Sequence, residues 1–121
     1  MKILTFIIML TIFSTGGVVA YLILSENKSN SFDNYESAAE SGLFEKGWIP
    51  SFIPKSSYNI KEYHSIDESS IHVEFDFKSE DINYFINTCK KIKQNLYECT
   101  TSNGPVKVAI TNINHAAIES M

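Results

Sequence analysis

Between Ile3 and Leu24 the chain carries no charged side chain, and Ile, Leu, Val, Phe and Met dominate the run. A helix of that length rises roughly 33 Å, about the thickness of a bilayer's hydrocarbon core. Thr5, Thr11, Ser14 and Thr15 do not spoil this reading, because a hydroxyl bonds back to a helix carbonyl one turn earlier. The stretch has no polar face to turn toward water, so residues 1–24 are expected to form a transmembrane anchor, with lipid contact through residues 3–24. A cleaved secretory signal is the competing reading, with Lys2 as its charged region, Ile3–Phe13 as its apolar region and Val18-Val19-Ala20 as its cleavage site. Cleavage after Ala20 would leave Tyr21-Leu22-Ile23-Leu24 as an apolar new terminus, whereas uncleaved these residues complete the span. Both readings export the rest of the chain. Lys2 on one flank against Glu26 and Lys28 on the other biases orientation only weakly, and a short N-terminus in the cytoplasm is the default. The first cysteine is Cys89, far beyond the apolar run, which excludes a lipoprotein anchor.

Beyond the apolar run the chain has room for one small domain. Formal net charge is −4, and all ten basic residues are Lys. Without Arg there is no guanidinium fork to read phosphate or guanine, so nucleic acid is not an expected partner. Nothing in the composition calls for a cofactor.

Ser25–Ser31 is polar and without periodicity, so residues 25–32 read as a flexible tether, and the domain is expected over 33–121. Asp33 and Glu36 have capping-box spacing ahead of Tyr35, Ala38, Ala39 and Leu43, predicting a helix over about 34–45 with Gly47 ending it in a left-handed conformation. In Trp48–Pro54, Pro50 and Pro54 remove backbone donors, so an extended strap is expected, with Trp48 and Phe52 either packed as core or left open as a partner-binding groove. Strands are predicted over 58–65 and 71–77; in the second, Ile71, Val73, Phe75 and Phe77 alternate with His72, Glu74 and Asp76. Ser79 is placed to cap a helix whose stripe is Ile82, Phe85, Ile86 and Cys89, with Lys90, Lys91 and Lys93 at its C-terminus. A second hairpin is expected from 96–101 and 106–112 around Ser102-Asn103-Gly104-Pro105, while 114–121 takes no assignment. The fold class is α+β: a helix, a strap and a ββαββ antiparallel unit.

Cys89 and Cys99 are the two cysteines, and an even count in an exported domain points to a structural disulfide. His72, Glu74 and Asp76 share a strand face and, with His64 from the neighbouring strand, are the candidate metal ligands. The same pattern is the ordinary solvent side of an antiparallel strand, so no metal is expected. His64 and Asp67 could also bond locally at the turn. The chain has no GxSxG elbow, phosphate-binding glycine loop or HExxH helix, and an enzyme is not expected.

Gly47-Trp48-Ile49-Pro50, then Ile53-Pro54-x-Ser56, Ile60, His64, Asp67 and Phe75-x-Phe77 resemble small bacterial envelope proteins carrying a YbbD head domain, with Lys46 at the position where that family places basic residues. The resemblance covers Ala39–Phe77. It implies a membrane-tethered or exported single domain and supplies no activity. The functional expectation is a single-pass protein of the cytoplasmic membrane whose extracytoplasmic, periplasm-facing domain binds another protein non-catalytically. An immunity protein that neutralises a secreted toxin is the first alternative, and a metal-dependent or hydrolytic enzyme using His64, His72, Glu74 and Asp76 is the second.

Overall fold

The computed structural model describes residues 27–121; the expected membrane segment lies outside them. No helix among the described residues is long and apolar enough to cross a membrane.

Among the described residues seven strands form one antiparallel sheet: β1 (Asn27–Asn34), β2 (Tyr58–Ser65), β3 (Ser70–Asp76), β4 (Lys90–Lys93), β5 (Leu96–Thr101), β6 (Gly104–Asn112) and β7 (His115–Ser120), in the spatial order β1-β2-β3-β7-β6-β5-β4. The two predicted hairpins are present as β2–β3 and β5–β6. Three strands are additional to the expectation. Residues 27–34 pair with β2 from Asn27↔Ser65 to Asn34↔Tyr58, so most of the expected tether is sheet. A strand at the sheet edge is held chiefly by backbone hydrogen bonds, and this one needs only Phe32 packed on the core, which is why its polar sequence hid it. Lys90–Lys93, expected to end a helix, instead form the opposite edge strand, exposed along its whole length. Residues 115–120 form a central strand between β3 and β6.

The first helix, α1 (Tyr35–Glu40), is capped by Asn34, whose Oδ1 accepts the Ser37 N–H at 2.9 Å, and not by Asp33 as the spacing suggested. It is shorter than expected because Gly42 adopts φ +81°. A further turn follows and ends on Gly47, also at φ +81°. There the Trp48 N–H bonds to the Leu43 carbonyl at 3.0 Å and the Gly47 N–H to the Phe44 carbonyl at 3.1 Å. These are the paired bonds of a Schellman cap, and they fix the direction in which Trp48 leaves the turn. The predicted second helix is a 3-10 turn (Ser79–Asp81) leading into α2 (Ile82–Ile86), and the Ser79 side chain does not cap it.

Alternation along the strands gives the sheet an inner face, bearing Ile60, Val73, Phe75, Val106, Val108, Ile110, Ala116 and Ile118, all buried. The strap lies over this face with Ile49 and Ile53 buried, and α2 adds Phe85. The Phe85 ring meets Phe77 edge-on at 5.3 Å and Phe75 at 6.2 Å, geometries that favour aromatic contact beyond area burial alone. Cys89, just past α2, is bonded to Cys99 on β5, which ties this cover to the sheet.

Candidate functional site

The register of β2 places Ile60, Glu62 and His64 together on the inner face, where Glu62 is 1% exposed and His64 5%. Burying a carboxylate costs several kcal/mol unless its lone pairs are satisfied. Here both oxygens are engaged: Oε1 with Nδ1 of His64, and Oε2 with the Nδ2 amide of Asn30 at 2.8 Å. Asn30 sits opposite Glu62 on β1, so the edge strand supplies a partner that Glu62 needs. Over the His64 ring lies the Trp48 indole, stacked at 4.1 Å and 10°. The Schellman turn aims Trp48, Trp48 roofs His64, and His64 pairs with Glu62.

Next to this stack, at the end of the inner face, is a groove of about 420 Å³. Its floor is the sheet row of Ile71, Ser120 and Val106, and Trp48 forms a wall. The rim is polar, formed by Lys46, Ser69 and Asn103, and among the described residues Lys46 is the one charged residue lining it. Asn103, in the β5–β6 turn, donates from Nδ2 to the Gly47 carbonyl at 3.3 Å, joining the two sides. The left-handed turn favours glycine here, and a Cβ on Gly47 would fall 1.9 Å from that same Nδ2, so a side chain would push the Asn103 amide off the Gly47 carbonyl. Mixed apolar floor and polar rim, at this volume, are the attributes of a site for a small ligand or a peptide segment.

The outer face is polar. His72 contacts Glu119 at 3.0 Å and Glu74 at 3.6 Å, and Asp76 accepts from the His115 ring at 2.6 Å and from Asn59 Nδ2 at 3.1 Å. The His115 hydrogen bond, then that of Asn59, holds the Asp76 carboxyl below its ordinary value. The four candidate metal ligands are not brought together. Because β2 pairs His64 with Ile71 and Tyr63 with His72, His64 points to the core and His72 to the other side of the sheet. Among the described residues no group of three His, Cys, Asp or Glu side chains is placed to hold a metal. His64 is bonded to Glu62 rather than, as its position by the turn suggested, to Asp67. In the strap, Pro50 and Pro54 are buried, while Trp48 and Phe52 are half-buried.

Glu62, Asn30, His115 and Asn103 are not singled out by the sequence. For Glu62 a signal exists: it lies two residues from both Ile60 and His64 on a predicted strand, hence on their face. Asn30 falls in the expected tether, His115 in the unassigned tail, and Asn103 is fixed by contact with Gly47 at a distance of 56 residues.

These features define a small antiparallel-sheet domain, disulfide-closed, with a groove at one end. Residues 26–76 match the family model described as the YbbD head domain, so this stretch of the chain is YbbD head domain-like. The match spans β1, α1, the strap, β2 and β3, and with them Glu62, His64 and Trp48; the strands from β4 onward lie beyond it. No curated protein and no solved structure matches the chain.

Proposed function

We propose that the chain is a single-pass envelope protein, anchored by residues 3–24 in the cytoplasmic membrane, whose exported domain binds another protein without chemistry. The groove beside Trp48 carries this reading: it joins apolar floor, aromatic wall and polar rim on a rigid frame, the combination a recognised segment of another protein needs. Export is supported by the Cys89–Cys99 bond, since disulfides persist in oxidising compartments. It is further supported by the YbbD head domain match, which is consistent with an envelope protein.

The test is affinity capture by the full chain from detergent-solubilised membranes, comparing wild type with Lys46→Glu at the rim and Trp48→Ala in the wall. Lys46 is exposed, so its replacement leaves the melting temperature unchanged while the captured partner is lost. Recovery of no specific partner, or one retained equally by both variants, overturns the reading. A partner that is a secreted toxin makes the chain an immunity protein, and genomic proximity to the toxin's gene identifies that case.

A further inference from the structure

Asn27, the first residue of β1, pairs with Ser65 at the end of β2, and the β2–β3 turn comes immediately after. The β5–β6 turn and Ser120 at the end of β7 lie at the same end of the sheet, because Val106 pairs with Ser120 and Thr101 with Gly104. This is the pole that carries the groove. The apolar run ends at Leu24 and β1 begins at Asn27, so Ser25 and Glu26 alone separate them. Two residues span at most about 7 Å fully extended, too short a reach for a domain to turn away from the surface on which it is anchored.

Resting on the anchored, protein-binding reading above, we infer that the groove is a juxtamembrane site, and that its occupant is a segment of a second integral membrane protein as it leaves the same bilayer, presenting a carboxylate beside an apolar side chain. The carboxylate follows from the rim, where Lys46 is the charged residue among the described lining residues and the Asn103 amide and Ser69 hydroxyl belong to the same rim. The apolar side chain follows from the floor of Ile71 and Val106 against the Trp48 indole. A long acidic run fits less well, because Asp67 and Glu68 in the neighbouring turn would repel it. Lipid headgroups and soluble proteins are the alternative occupants.

Photocrosslinking of the full chain in native membranes separates these. A benzoylphenylalanine replaces exposed Pro105 at the groove, or Ile113, 74% exposed in the β6–β7 turn at the opposite pole. The expected product is an adduct from position 105, and not from 113, with a protein that resists carbonate extraction, reduced about tenfold or more by Lys46→Glu and preserved by Lys46→Arg. An adduct with a carbonate-extractable protein overturns the juxtamembrane site and leaves protein binding standing. Adducts with lipid alone overturn both. A mature chain beginning at Tyr21 that leaves the membrane fraction overturns the inference, because the groove then has no fixed distance from a bilayer.

Discussion

Glu62 is a charged side chain where the strand pattern asks for an apolar one, and its environment shows what keeps it there. Its two oxygens are satisfied from two strands, and its imidazole partner is covered by the indole of a residue from the strap. Removing one member leaves the other buried without its partner, which costs about 3–5 kcal/mol in comparable settings. Glu62→Ala is therefore expected to destabilise the domain by that order, read from urea unfolding. Glu62→Leu combined with His64→Phe should recover most of the loss, since a well-packed apolar pair of similar volume is no worse than a buried polar one. A double variant as unstable as the single one would show that the pair contributes more than internal satisfaction. Asp76 belongs to a different regime, at the surface and partnered by His115 and Asn59. Its carboxyl is held below 3.8 in the folded chain, so its contribution is present above the unfolded value and is lost as pH falls through the folded one. Asp76→Asn is expected to flatten the acid limb of stability below about pH 4 while leaving the neutral region's slope unaltered, as measured by urea midpoints across pH.

At the level of elements, the devices that a sequence displays openly are also the ones that determine structure locally. The alternation in β3 and the turn residues between β5 and β6 specify their hairpins, and the paired cysteines their bond. β1, β4 and β7 are obscure for separate reasons. β1 packs only Phe32 on the core; β4 is a lysine-rich edge whose exposure guards against pairing with other chains; β7 fills the sheet centre with Ala116 and Ala117, small residues of low strand preference. The groove is legible in part, since the strap with Trp48 reads as core or groove, but Lys46, Asn103 and Ile71 meet only through tertiary contact. The disulfide spans β4, a strand with β5 as its one neighbour in the sheet. Closing so short a loop is worth about 3 kcal/mol in the chain-entropy model. Cys89→Ser with Cys99→Ser should lower stability by about 2–3 kcal/mol and speed amide exchange first in 90–93. Unchanged protection of those amides would show that β5 pairing alone holds the edge.

For the whole molecule, the order β1-β2-β3-β7-β6-β5-β4 divides the sheet into two meanders whose strands pair with each other only where β3 meets β7. Val73 of β3 and Val108 of β6 both pair with Ile118, so this one strand completes two halves of the core. A chain cut after Asn114 is expected to lose cooperative unfolding and near-ultraviolet dichroism altogether, and residues 26–76 alone, though they span the family match, should not fold, because β3 would expose the Val73 and Phe75 row at a bare edge. The placement of β7 also bears on the order of events during synthesis. Everything from β1 to β6 is translated before the strand that joins the halves exists, so the growing polypeptide has no finished sheet to lock into. On the exported reading proposed above, such a chain would still be open enough to thread through a translocation channel and would close once residues 115–120 emerge.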